Sequence, residues 1–449
     1  MKTGMLIRIF VGATVLAAAP LWAQGGADVA AIGAGGGGGA MATPAPVSGE
    51  AYSMGFTSET RSNYLRGGLV FGSAYDDNVA AGANGKPVSD VSYSIWPTIS
   101  LDQTRSRLHW VLSYSPGYTF YQKTSSLNSE NQNFAVDFKY RLSPHVTLSL
   151  RDSFQKTSNL LNQPNSDLTN QVSGGAVGPN NSLIAPIADV LTNNANATLT
   201  YQFAANAMMG ASGTFTNLHY PTQTQVPGLS DSSSRGGSAF YNRRLSKMHY
   251  IGATYQYQMF LANPIVGQSE TQAHSVFLFY TLYLKPTLSV SLFGGPQYSD
   301  TEQFGVPTLK TWSPAAGASL GWQGRLTSFA ASYSRRINDG GGLSGAVHSN
   351  TADASLRRQL TRRLSASAGA SYSNNSVVDA LPQFGSGTNG HTVSGSASLQ
   401  RPIGEHLNVQ LQYTRLHQSY SGIAAISSNP DRNREAINIS YQFSRPLGR

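Results

Sequence analysis

The chain has no cysteine among its 449 residues, which excludes disulfide staples, thiol chemistry and cysteine-bound zinc. A chain that passes through an oxidising periplasm avoids stray disulfides in this way. Long apolar runs are also missing. The longest, Ile9–Pro20, falls short of the roughly 20 residues that a membrane-spanning helix requires. Charged residues are scarce, at 12%, so an ordinary water-soluble surface is poorly supplied, whereas Ser, Thr, Asn, Gln, Gly and Tyr are plentiful. A polypeptide of this kind enters a membrane as strands, with one face towards lipid and the other towards water.

The first residues have the layout of a secretory signal: Lys2 and Arg8, then the apolar Ile9–Pro20, then Leu21-Trp22-Ala23 ending in a small residue. Cleavage is expected after Ala23. Residues 24–60 are mainly Gly, Ala and Pro with almost no charge, which predicts a flexible periplasmic linker. The linker contains the letters of a dinucleotide fingerprint at Gly33, Gly35 and Gly38. No strand precedes them and no helix follows, so low complexity explains them. Residues 61–449 are left to form a single domain.

Short strands fill that domain, and their connections alternate between tight and long. The tight ones are expected at Asp102–Ser106, Leu142–Pro144, Ala204–Ala205, Arg244–Lys247, Lys285–Pro286, Gln323–Arg325, Gln359–Arg362 and Arg401–Glu405. Between them lie longer polar stretches at 76–89, 122–130, 157–193, 220–233, 262–269, 299–310, 337–347, 374–388 and 418–432. Outer-membrane barrels carry short periplasmic turns and longer outer loops, so the two sets belong to opposite rims. Nine long and eight short connections join 18 strands. The weakly patterned segments 234–243 and 363–373 would reduce this to 16 if one hairpin were lost. The predicted fold is therefore an all-β, up-and-down antiparallel barrel in the bacterial outer membrane.

Alternation of period two supports this reading. Ile437, Ile439, Tyr441 and Phe443 share a face, as do Leu407, Val409, Leu411 and Tyr413, and Val146, Leu148, Leu150 and Phe154. Asp152 interrupts the last of these faces and is expected near the outer rim. Tyr75, Tyr118, Tyr140, Tyr201, Tyr298, Trp322 and Tyr441 stand near strand ends, where aromatic girdles meet the interfaces. Val276–Leu284 is apolar on both faces. Either its inner face packs inside the lumen or it marks a subunit interface, in which case a homo-oligomer follows.

Strand parity points Arg66, Arg107, His109, Lys139, Arg151 and Arg357 into the lumen, with Asp137 and Asp353. Charged rings set pore selectivity, and the formal net charge of +9 suits a mildly anion-preferring channel. The same residues could instead pair across strands and stiffen the wall. The longest loop, 157–193, carries an apolar patch with Leu183, Ile184, Ile187, Val190 and Leu191. Folded inward, it would cover that patch and constrict the channel, like the third loop of general porins. Gly317-Ala318-Ser319-Leu320-Gly321 matches an esterase pattern by letter, but it sits in an alternating strand and not in a strand-turn-helix elbow. The nine histidines show no metal-ligand spacing. No enzyme, cofactor or nucleic-acid partner is implied.

Leu69–Val79 contains Tyr75-Asp76-Asp77-Asn78-Val79, which resembles the first-hairpin signature of the β-barrel porin 2 family. The resemblance covers residues 60–449. It implies an outer-membrane barrel of a kind often found with exopolysaccharide export systems, and so a polysaccharide as an alternative cargo to small hydrophilic solutes. Ile437-x-Ile439-x-Tyr441-x-Phe443 resembles the terminal-strand signal read by the barrel assembly machinery, although Ser444–Arg449 follow it. Asp76, Asp77 and Asn78 have a simple local task, since short polar side chains satisfy backbone groups where a strand ends.

Overall fold

The computed structural model describes residues 63–80, 86–159, 161, 188–222, 228–264, 267–303, 305–343, 345–378, 389–421, 423 and 431–447. The expected signal and linker lie outside the described residues.

Eighteen strands make up nearly all of the fold. They are β1 Asn63–Asp76, β2 Asp90–Thr104, β3 Leu108–Tyr121, β4 Ser129–Arg141, β5 Val146–Thr157 and β6 Val190–Ala204. Next come β7 Ala207–His219, β8 Asp231–Arg244, β9 His249–Asn263, β10 Ser269–Lys285, β11 Leu288–Gln303 and β12 Val306–Gln323. The last six are β13 Thr327–Asn338, β14 Val347–Thr361, β15 Leu364–Val377, β16 Asn389–Ile403, β17 Leu407–Tyr420 and β18 Asp431–Pro446. Each strand pairs antiparallel with its neighbours in sequence, and β1 pairs with both β2 and β18, so the sheet closes. The weakly patterned segments form β8 and β15, which settles the count at 18. Closure is what lipid demands, because an open edge would leave backbone N–H and C=O groups without partners.

One rim carries only connections of two to four residues, for example 205–206 and 142–145. The other carries the long ones, with one exception. The long stretch expected at 299–310 is instead a hairpin: β11 runs to Gln303, β12 starts at Val306, and Gly305 turns the chain at φ 76°. Ser299 lies opposite Thr311, and Asp300 opposite Lys310, whose ammonium is 3.6 Å from the carboxylate. Polar residues occupy both faces there, so the alternation that marks a strand in lipid is absent.

Two further expectations change. Val190 and Leu191 are not loop residues; they begin β6, opposite Thr157 and Lys156, because β5 runs on and takes a partner. Leu183, Ile184 and Ile187 of the same patch lie outside the described residues. At the other end β18 continues past Phe443, with Ser444, Arg445 and Pro446 opposite Arg66, Leu65 and Tyr64.

The outward face is apolar. Ile437, Ile439, Tyr441 and Phe443 are exposed on it, as are Leu411, Tyr413, Leu199 and Tyr201. Tyr201, Trp322 and Tyr441 ring the rim of short turns, while Tyr75 and Trp312 ring the other. This is the architecture of an outer-membrane barrel, in which the short turns are periplasmic. Asp152 points outward, and its Oδ1 accepts a hydrogen bond from Asn193 Nδ2 at 3.0 Å, which offsets part of the cost of its position.

The strand that is apolar on both faces turns its second set of rings into the wall. Phe277 and Phe279 point inward and are buried, and Phe277 meets Phe293 edge-on at 5.8 Å. Glycines make room for them. A Cβ at Gly252 would lie 2.1 Å from Phe279, and one at Gly317 would lie 2.2 Å from Phe293. The first glycine of the esterase-like letters therefore seats an aromatic ring.

The seam between the first and last strands has its own clasp. Asp76 and Arg432 are buried, with Arg432 Nε 2.8 Å from Asp76 Oδ2 and Nη2 donating to the same oxygen. Beside them Asp77 accepts from the Asn433 backbone N and from its Nδ2, both at 2.7 Å. Asn78 donates from its backbone N to Asp76 at 3.0 Å and from Nδ2 to the Asp431 carbonyl at 2.9 Å. The Asp-Asp-Asn motif thus ties β1 to β18. Replacing Asp76 by Ala should leave Arg432 buried without its counter-charge and cost roughly 3–5 kcal/mol. A lowered urea midpoint for the refolded barrel is the expected result, and an unchanged midpoint would show the clasp to be dispensable.

Candidate functional site: the lumen and its outer mouth

Cross-strand register fixes which side chains face the water. Arg66, His109, Asp137, Lys139, Arg151, Asp353 and Arg357 stand at inward positions of their strands. Arg107 does not. It lies in the exposed turn 105–107, because Thr104 and His109 are the last opposed residues of β2 and β3.

These charges do not converge on one ring. Asp102, placed in a turn by the sequence pattern, is an inward residue near the end of β2, and it gathers two of them. Arg66 Nη2 lies 3.3 Å from one of its oxygens and His109 Nε2 lies 3.3 Å from the other. Arg151 Nε is 3.1 Å from Asp137 Oδ2, and both side chains are well exposed to the lumen. Asp353 accepts from Ser332 Oγ at 3.4 Å. Arg357 is exposed and forms no ion pair among the described residues. Solvated pairs of this kind contribute only about 0–1 kcal/mol, so they add little to the stiffness of the wall.

A segment that leans into the lumen lies higher up. Pairing between β12 and β13 ends at Ala316 and Arg335, while β13 and β14 stay paired up to Asn338 and Val347. Beyond Arg335 this hairpin leaves the wall and leans inward. Ile337, outward by parity, is buried among Phe260, Ala273, Ala346 and Val378. Its backbone N donates to Gln297 Oε1 at 3.2 Å. Phe260, Ala273 and Gln297 are inward residues of β9, β10 and β11, so the hairpin tip sits inside the barrel.

The connection 339–346 continues from that tip. Asp339 Oδ1 accepts from the Gly341 N at 2.6 Å, and the Gly342 carbonyl accepts from the Ser230 N at 2.8 Å. Gly342 has φ 105°, and a Cβ there would meet the Tyr220 hydroxyl at 2.6 Å, so both conformation and space call for glycine. Next to it Leu343 is completely buried. It packs with Ala188, Leu218, Tyr220, Leu229, Val347, Tyr420 and Ile423 in an apolar core across the mouth. Leu218 belongs to β7 and Tyr420 to β17, which stand nearly opposite each other in the wall. Burial, and then the charges of Asp339 and Asp231, raise the Tyr220 pKa well above the usual phenol range, so its hydroxyl stays protonated.

Among the described residues, then, the inward-folded connection is the seventh outer one; the third contributes Ala188 to the core. A signal existed in the sequence, since Leu343 is a lone large apolar residue in an otherwise small and polar stretch. Arg336, Arg432 and Arg434 also face inward at the outer end and are buried. They were missed, although the parity of β13 and β18 places them there.

No family model matches the chain, and no curated protein matches it. Among solved structures it is similar to OccK2 (OpdF) of Pseudomonas aeruginosa, at 11% identity and a TM-score of 0.45, over 86% of this chain and 99% of that one. Pseudomonas aeruginosa OpdQ aligns at 10% identity and a TM-score of 0.43, over 86% and 100%. The FrpB iron transporter of Neisseria meningitidis (F3-3 variant) aligns at 12% and 0.42, over 81% and 63%.

If the seventh connection narrows the mouth, deleting residues 340–345 should raise single-channel conductance severalfold while the barrel still refolds. Unchanged conductance would place the narrowing elsewhere.

Proposed function

We propose that this barrel is an outer-membrane channel for small hydrophilic solutes, with a preference for anions. The observation that carries the proposal is the balance of charge on the inner wall. Arg66, Lys139, Arg141, Arg151, Arg336, Arg357, Arg432 and Arg434 stand at inward positions, against Asp76, Asp90, Asp102, Asp137 and Asp353. A closed wall of 18 strands encloses an aqueous bore, and an excess of fixed cations along a low-dielectric wall raises the local concentration of anions.

The polysaccharide-export role implied by the family resemblance ranks second. The Tyr75–Val79 signature has a structural task at the seam, and the apolar core across the mouth suits small solutes better than a polymer.

Planar-bilayer recording on the refolded protein tests both parts of the proposal. Discrete conductance steps are expected, with a reversal potential in a potassium chloride gradient of the sign set by chloride. Cation selectivity would overturn the anion preference, and a silent membrane would overturn the channel itself.

A further inference from the structure

Two arginines of the inner wall are buried to the same degree but placed very differently. Arg432 directs Nε and Nη2, the side-on fork of its guanidinium, at the carboxylate of Asp76. Arg336, only 4% exposed, has neither of these groups hydrogen-bonded, and among the described residues no ion pair engages it. Both the missing partner and the burial follow from the fold. Arg336 is the first residue of β13 beyond its last pair with β12, on the hairpin that leans into the lumen. Its neighbour Ile337 packs on the inner faces of β9 and β10, which drives the arginine towards the interior of the mouth.

The polar group across the ladder from Arg336 is equally short of partners. Ser349 lies directly across from Arg336 on β14 and points to the same side, and its hydroxyl is buried and without a partner. A buried cation lacking both counter-charge and hydrogen bonds is among the costliest arrangements a protein can contain. Two parallel N–H donors match the two oxygens of a carboxylate, and Asp76 fills that geometry on Arg432 in this same wall.

We propose that Arg336, assisted by the Ser349 hydroxyl, is a carboxylate-binding site inside the outer mouth, and that the solutes the channel favours are small carboxylates. The site narrows the anion preference proposed above and rests on that reading for its role in transport. Binding itself needs no conduction, so the two can fail separately.

The test is a titration of the refolded full-length barrel in detergent with carbon-13-labelled acetate, observed as broadening of its carboxylate resonance. Saturable broadening is expected. Arg336→Gln should weaken it at least about tenfold, as the loss of charged hydrogen bonds implies. Arg336→Lys should recover only part, because an ammonium keeps the charge without the fork. Ser349→Ala should weaken binding less than Arg336→Gln. Acetate bound equally by the parent and by Arg336→Gln would overturn the assignment, as would an absence of saturable binding in the parent. If Arg336→Gln fails to refold, Arg336→Lys decides the matter: full parental affinity would remove the fork from the argument. Conductance with no saturable acetate binding would sink the site and leave the channel, whereas Arg336-dependent binding in a silent barrel would sink the channel and leave the site.

Discussion

The pairing of β1 with β18 is the interaction on which the rest of the structure depends. It runs unbroken from Tyr64 opposite Pro446 to Asp76 opposite Arg434, and it removes the only two edges an 18-stranded sheet would have. In lipid each unsatisfied backbone group costs several kcal/mol, so an open sheet of this length could not persist there. Closure also assigns every side chain in the wall to one of two solvents. The clasp of Asp76, Asp77 and Asn78 with Arg432 and Asn433 sits at the outer end of the seam, where the chain leaves β1. Ionic groups suit that place. Their mutual attraction is strengthened where water is excluded, and the bidentate geometry and added backbone donors satisfy the lone pairs that burial would otherwise orphan.

Because closure makes facing a matter of parity, the wall was readable where one face meets lipid and the other meets water. Ile437–Phe443 and Leu407–Tyr413 alternate for that reason, and their outward placement follows. Above the bilayer the same logic loses its signal. The hairpin through Gln303 and Val306 has water on both sides, so Asp300 and Lys310 look like loop residues although they are paired strand residues. Strand ends fail for a related reason: parity continues only as far as the ladder, so Arg107 falls in a turn while Asp102 remains on the wall. The Asp76–Asn78 motif was legible as a strand-end device, and the Asn78 N does bond Asp76. Its partner Arg432, 356 residues away, could not be read from local pattern.

The inward lean of the β13–β14 hairpin is the least legible feature, because it depends on contacts between distant strands. Nothing in Ser334-Arg335-Arg336-Ile337 announces that the ladder to β12 will stop there. The bend is held by Phe260, Ala273 and Val378 around Ile337 and by Ser230 beneath the Gly342 carbonyl. Each of these is remote in sequence. What the sequence does show is that the connection can be tightly folded, since Gly340, Gly341 and Gly342 allow backbone geometries and approaches that side chains would block.

The lean also changes what a charge means at that height. Lower in the lumen Arg151 and Asp137 are bathed in water, and their pairing contributes little either way. At the mouth Leu343, Val347, Tyr420 and Ile423 displace that water. The same guanidinium then acts through a lower dielectric, where its pull on an anion is stronger and its own desolvation is more costly. At the seam the wall answers this with Asp76 on Arg432. For Arg336 it supplies the Ser349 hydroxyl, with no partner of its own, and among the described residues no ion pair. A structural cation would be served better by a built-in acid, and a merely filled space by an apolar side chain. An unanswered fork on the hairpin that leans into the lumen is the arrangement that a transient anionic visitor would complete.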